Sequence, residues 1–311
     1  MNDARVRVRY LDETVRLLFP RDDDGGDMAA YSLLPHARLP RRLVRRRWWH
    51  RPLSRPVMVP AAGGGSIEDH LGEVLGMPIR TVLHVRPARR ANRKPILSAY
   101  GPDGLAAYVK IGDTERTAKL VGDEARALRL VADLPLKVVT APTVLHHGTW
   151  RGLSVLAVSP LPVPRRHPRG TRFAGDTVRA AVREIAELCP GEPYAWHGDL
   201  TPWNMAPAPD GRMLVWDWER FATGVPLGFD AVHFFLHRAL RRMRPALAAR
   251  ACLAQATGVL APYGLSSAEA RLTVLRYLIA LADRHAADGH EPLGPPAIWL
   301  SPLIDHAEPI L

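Results

Sequence analysis

The chain has 311 residues, 47% hydrophobic and 23% charged, which is the make-up of a folded protein with a real core in one large domain or two modest ones. Two cysteines, Cys189 and Cys252, exclude a disulfide framework and suit a reducing, cytoplasmic setting. The net charge of +11 invites a nucleic-acid reading, yet only four of 42 basic residues are lysine, and residues 171–311 carry 13 arginines against 15 acids. Part of the arginine excess therefore reads as compositional bias, the net positive charge falls in residues 1–170, and nucleic acid is not an expected partner.

Along the chain, "MNDARVRVRYLDETVRLLFP" alternates charge and lacks the continuous apolar core of a signal peptide. Within it, "RVRVRY" and "TVRLLF" alternate as strands do. An acidic loop, "RDDDGGD" at 21–27, leads to the basic and aromatic "RRLVRRRWWHRPLSRP" at 41–56. That stretch is expected to pack its tryptophans on a sheet and leave its arginines in water. The other reading is an acidic surface, lipid or nucleic acid. "PAAGGGS" at 60–66 reads as a flexible connector, so residues 1–66 are expected to form an N-terminal extension.

From residue 67 the segments shorten. "IRTVLHVRP" reads as a strand, and "PILSAY" and "LAAYVKIG" as two strands around the turn "GPDG". A helical pattern covers 114–133, then two strand-like runs, "PTVLHHGTW" and "LSVLAVSPL", end in the proline-rich 160–170. Beyond it the pattern is mostly helical, and no uncharged run there reads as a membrane span. Strands first and helices second define a segregated α+β fold, with expected divisions at 1–66, 67–158 and 159–311.

In the helix at 114–133, Val121, Leu128 and Val131 share a face with Glu124. A carboxylate on a buried stripe is costly unless paired. Lys110 lies on the strand whose apolar face is Leu105, Ala107, Val109 and Ile111, so it points to the other face, and a Lys110–Glu124 pair between sheet and helix follows. Two unrelated surface charges are the alternative. Farther on, "WHGDLTPWNM" at 196–205 crowds His197, Asp199 and Asn204 into one loop. The hairpin "NMAPAPDGRMLVWDW" is expected to return Asp217 beside Asn204, where both offer oxygen ligands to Mg²⁺. Asp199 would then orient an attacking hydroxyl, with His197 bracing the loop.

Lys110, Glu124, His197-x-Asp199-x-x-x-x-Asn204 and Asp217 stand in the order of the protein-kinase-like superfamily. The wording "HGDLTPWN…VWDWE…GFDAVHF" resembles the aminoglycoside phosphotransferase and choline kinase branch. The resemblance covers roughly 78–240 and implies a two-lobed fold: an antiparallel sheet with one helix, a hinge near 157–162 and a mainly helical second lobe. It implies ATP and Mg²⁺ as cofactors, with Lys110 on the α- and β-phosphates, Glu124 positioning it, and Asp230 bracing the catalytic segment. The loop that should cover the nucleotide, "RPARRANRK", has no glycine, which leaves Asn92, Arg93 and the neighbouring cations to grip phosphate. Tyr108 stands where the family often keeps a smaller residue against adenine.

Three functions follow. The first is transfer of the γ-phosphate to a hydroxyl of a small molecule; an aminoglycoside is disfavoured because few acids remain to bind a polycation. The second is a kinase acting on serine or threonine of a peptide, and the third a non-catalytic pseudokinase, which the glycine-free loop favours and the intact Asp199, Asn204 and Asp217 oppose. Trp203 and Trp218 are expected to pack the loop, and none of His146, His147, His285 and His290 is expected to have a partner set for zinc.

Overall fold

The computed structural model describes residues 3–20, 28–34, 41–50, 56–60, 65–85, 92–163, 175–189, 193–289 and 293–304. The acidic loop at 21–27, most of the connector, the segment just before Asn92 and most of the proline-rich run lie outside them. The first elements are α1 (Asp3–Leu18), β1 (Met28–Leu34), β2 (Arg41–Arg45), β3 (Pro56–Pro60), α2 (Ile67–Leu75), β4 (Arg80–Val85), β5 (Ile96–Gly101), β6 (Gly104–Gly112) and α3 (Glu115–Ala132). Then come β7 (Val139–Thr140), β8 (Val144–Trp150), β9 (Leu153–Val158), α4 (Gly175–Ala186), β10 (Met205–Pro207) and β11 (Met213–Val215), followed by α5 (Phe229–Leu240), α6 (Pro245–Ala254), α7 (Ala256–Leu260) and α8 (Ser267–Ala287). The chain divides into two compact units, residues 1–125 with 143–160, and residues 126–142 with 161–311. The fold is α+β, an antiparallel-sheet unit and a mainly helical one.

The first unit is an eight-stranded sheet in the order β3-β1-β2-β4-β5-β6-β9-β8, antiparallel at every pairing. Alternate residues of its middle strands, Leu97, Ala99, Ala107, Val109, Ile111, Val155 and Ala157, bury one face against Leu11, Val15 and Leu18 of α1 and Ile67 and Leu71 of α2. α2 starts in a capping box: Ser66 Oγ accepts from the Asp69 N–H at 3.3 Å, and the Asp69 carboxylate accepts from the Ser66 N–H at 2.9 Å. The boundary read at 66/67 falls at this cap, inside the first unit, because β1–β3 continue the sheet through β2 and β4.

The structure departs from two local expectations. "RVRVRY" and "TVRLLF" are not strands but consecutive parts of α1. Period-2 alternation covers only residues 5–10, whereas the buried set Tyr10, Leu11, Thr14, Val15 and Leu18 repeats at helical spacing and docks on the sheet. The tryptophans of 41–56 do not pack on the sheet either: Trp48 is 81% and Trp49 45% exposed. After β2 a single 3₁₀ turn, Trp48–His50, directs His50 inward, where its Nδ1 accepts from the Arg47 N–H at 3.2 Å.

In the second unit β10 and β11 form the expected antiparallel hairpin, and β7 adds to β11 in parallel. Glu184 of α4 anchors this small sheet. Its carboxylate accepts from the N–H groups of Lys137, Val138 and Val139 at 2.6–3.0 Å, replacing ladder bonds that an edge strand lacks. Trp218, Tyr277, Leu200 and Ile185 are among its fully buried side chains. Among the described residues no helix is long and apolar enough to cross a membrane.

The helical reading of α1 is open to test. In a strand Arg16 and Leu18 would share a face; in α1 Leu18 is fully buried and Arg16 exposed. Leu18→Ala should cost about 2–5 kcal/mol and Arg16→Ala under about 0.5 kcal/mol, read by urea unfolding.

Candidate functional site

In the first unit Lys110 lies on β6 between Val109 and Ile111, both fully buried in the core shared with α1 and α2. The pleat therefore turns Lys110 to the opposite face of the sheet, where α3 presents Glu124 beside Val121 and Leu128. Lys110 Nζ donates to Glu124 Oε1 at 2.7 Å and Oε2 at 2.5 Å, with side-chain exposures of only 12% and 2%. A carboxylate this deep persists because the ammonium pairs with both of its oxygens. Tyr108 is on the same face as Lys110, 40% exposed. Asn92 sits in a turn, and the Arg93 guanidinium lies over the Tyr10 ring of α1 at 4.5 Å.

In the second unit the chain enters the loop that carries His197, Asp199 and Asn204 through a backbone bridge between Trp196 and Ala222. Asp230, in the first turn of α5, then receives two consecutive amides: the His197 N–H at 2.6 Å and the Gly198 N–H at 3.2 Å. Gly198 has φ +80°, and a Cβ there would collide with the Arg220 carbonyl oxygen, so the position requires glycine. The Gly198 carbonyl accepts from Arg284 Nη1 of α8 at 2.5 Å. His197 is fully buried, its ring edge-on to Trp218 at 4.8 Å, and its Nδ1 accepts from the Asp199 N–H at 3.2 Å.

Asp199 and Asn204 meet directly. Asn204 Nδ2 donates to Asp199 Oδ2 at 2.8 Å and to the Asp199 carbonyl at 3.0 Å. With its amide nitrogen so directed, Asn204 leaves Oδ1 without a hydrogen bond among the described residues. The Trp216 N–H donates to the Asn204 carbonyl at 3.1 Å, so the β10–β11 hairpin returns Asp217 beside Asn204. Asp217 itself has φ +73°, a left-handed conformation that costs a non-glycine residue about 1 kcal/mol or more and recurs at functional sites. The Asn204 amide oxygen and the Asp217 carboxylate are hard oxygen donors of the kind Mg²⁺ takes, few at a time, beside substrate phosphates. Trp218 packs the loop from within, fully buried, whereas Trp203 is 51% exposed.

Four residues that sequence reasoning missed complete this cluster. His233 Nε2 lies 3.2 Å from Asp199 Oδ1, and its Nδ1 lies 2.9 Å from the Tyr277 hydroxyl of α8. Burial, and then the Arg284 charge, holds the His233 imidazole well below its usual pKa and therefore neutral. A carboxylate only accepts, so Nε2 carries the hydrogen towards Asp199 and Nδ1 accepts from Tyr277. His237, one turn on, is pushed down to about 3 by burial and by His233. The Asp199 carboxyl is raised by burial and by the nearby Asp217 charge, and Asp230 is raised by burial to about 7. The one available signal was "DAVHFFLH", which puts Asp230, His233 and His237 on one face at i, i+3, i+7.

No family model matches the chain, and no curated protein does. Among solved structures it is similar to the bifunctional kinase–methyltransferase WbdD, at 16% identity over 59% of this chain and 42% of that one, TM-score 0.34. It is also similar to a protein assigned as a fructosamine-3-kinase from Haemophilus somnus 129PT, at 14% identity over 72% and 90%, TM-score 0.42. A third is APH(2'')-IIa, solved with streptomycin and ATP, at 12% identity over 64% and 93%, TM-score 0.35. The chain thus spans 42% of the length of WbdD. Likenesses this distant carry no chemistry across, which rests on the residues described above.

Two outcomes are expected. Asp230→Ala orphans two buried N–H groups and should destabilise the protein by about 1–3 kcal/mol for each, measured by chemical denaturation. The second concerns pH. Below its ordinary pKa of 6.5, His237 binds a proton in the unfolded chain but not in the folded one until about 3, so its contribution to stability falls as pH drops through that window. Asp199 and Asp230, being raised, slope the opposite way. Relative to the native chain, His237→Gln should therefore gain up to about 1.4 kcal/mol per pH unit as pH falls from 6.5 to 5, in urea unfolding at each pH.

Proposed function

We propose that the protein is an ATP- and Mg²⁺-dependent phosphotransferase that moves the γ-phosphate to a hydroxyl of a small molecule. The observation that carries this reading is the Asp199–Asn204 contact. Asn204 Nδ2 holds Asp199 Oδ2, which would leave Asn204 Oδ1 to act with Asp217 as a metal ligand, and His233 holds Asp199 Oδ1. That combination supports an aspartate oriented for a hydroxyl and an oxygen pair for Mg²⁺ in one short loop. Mg²⁺, when bound, would screen the phosphate charges.

In this reading Asp199 accepts a hydrogen bond from the acceptor hydroxyl and takes its proton as the new O–P bond forms and the β–γ bridge of ATP breaks, releasing ADP. Burial raises the Asp199 carboxyl, which suits a group that must gain a proton. In the first unit Lys110, fixed by Glu124, would take the α- and β-phosphates, with Asn92 and Arg93 as further phosphate contacts. Asp230 and His197 hold the loop in shape. The reading assigns nucleotide binding to 67–158, acceptor chemistry to 159–311 and an accessory role to 1–66. A cytoplasmic setting accords with a chain that has only two cysteines.

The test is transfer of label from γ-labelled ATP, with Mg²⁺, into small-molecule and protein fractions of an extract of the source cells. Label is expected in the small-molecule fraction, falling about 10²–10⁴-fold with Asp199→Asn and comparably with Asp217→Ala. Label in the protein fraction instead would replace the acceptor with a peptide serine or threonine. Absence of both label and ATP binding would leave the pseudokinase reading.

A further inference from the structure

We propose that Asp199, His233 and His237 form a second, chemically distinct metal site that takes a dication of the zinc class. His233 and His237 stand four residues apart on α5, so their imidazoles rise from one face. One ligand atom from each of the three residues lies within 4.8 Å of the others. The His233 Nε2 to Asp199 Oδ1 separation is 3.2 Å. Ligands about 2.0–2.1 Å from a tetrahedral zinc stand roughly 3.3–3.4 Å apart, so this edge is already set.

The remaining contacts agree with that use. His237 makes no hydrogen bond among the described residues; its ring lies 4.3 Å from that of His233 and meets Trp203 edge-on at 5.5 Å. Asp199 keeps 32% of its side chain in solvent and His237 is half-buried, so an ion has a way in and water can complete its shell. His233 is fixed from behind by the Tyr277 hydroxyl at 2.9 Å, the outer-shell support that orients a ligating imidazole. When the ion takes Nε2, the hydrogen there moves to Nδ1, where the Tyr277 oxygen accepts it, so the imidazole stays neutral and the proton is conserved. Two imidazole nitrogens and one carboxylate select Zn²⁺, Co²⁺ or Ni²⁺, whereas the all-oxygen pair of Asn204 and Asp217 suits Mg²⁺. The site's consequence for activity rests on the phosphotransferase reading: an ion on Asp199 Oδ1 withdraws that oxygen from the acceptor hydroxyl and lowers transfer.

The deciding experiment is a Co²⁺ titration of the full chain in excess Mg²⁺, followed by visible absorption. The native chain should develop d–d bands absent from free Co²⁺, saturating at one ion, and Zn²⁺ should bleach them. His237→Gln should bind at least about tenfold more weakly, and Asp199→Asn likewise, with circular dichroism confirming that each variant is folded. No bands in the native chain, or equal affinity in His237→Gln, would overturn the site, the latter because the ion would then be held by others of the 13 histidines. The bands report binding without turnover. A chain that binds Co²⁺ as expected, yet transfers no label when assayed with Mg²⁺ alone, would keep the metal site and lose the phosphotransferase.

Discussion

The second unit turns on one buried carboxylate. Asp230 is 2% exposed and receives the N–H groups of His197 and Gly198 together. Both consecutive amides converge on this one anion, and Gly198, with a φ that side chains rarely adopt, turns the chain sharply just after them. On the other edge of the same peptides Arg284 satisfies the Gly198 carbonyl. Irregular backbone in a protein interior is tolerated only when its polar groups are paired, and here the pairing also sets the direction in which Asp199 leaves the loop.

The same pairing explains the electrostatics. Two carboxyls, Asp199 and Asp230, are both raised, chiefly by burial, with the Asp217 charge adding to the rise of Asp199 and the Asp199 charge to that of Asp230, and Arg284 lies close enough to oppose the rise in both. Arg284 is itself lowered by burial, so it is not a free source of compensation. His233 adds no charge, because its imidazole is held neutral, but it offers Asp199 a donor. The cluster is therefore short of positive charge by construction, and a dication is the natural complement to it.

How much of this was legible in sequence depends on the range over which each signal acts. Lys110 could be placed because Ala107, Val109 and Ile111 fix the pleat within five residues, and Glu124 because it interrupts an apolar stripe of one helix. The β10–β11 return of Asp217 was legible from a single turn. α1 was misread because the alternation of residues 5–10 is local, while the helical spacing of Leu11, Val15 and Leu18 has meaning only against a sheet built from residues far along the chain. Tyr277 lies 44 residues from His233, and Arg284 86 residues from Gly198; no local pattern joins them. Glu184 is hidden in the same way, a surface-looking acid on α4 whose partners are backbone groups of a two-residue strand.

Asp199 shows how such long-range contacts decide chemistry. Asn204 claims Oδ2 and His233 claims Oδ1 from opposite sides, which fixes the plane of the carboxylate and leaves few lone-pair directions for anything else. A donor on each oxygen lowers the basicity of a carboxylate, while burial and the Asp217 charge raise it, and burial is the larger influence. The result is an aspartate that is both held in one orientation and kept ready to take a proton. Neither property is visible in "HGD": the orientation arises because α5 and the start of the β10–β11 hairpin deliver His233 and Asn204 to the two edges of one side chain, and the raised carboxyl because the same packing buries it beside Asp217.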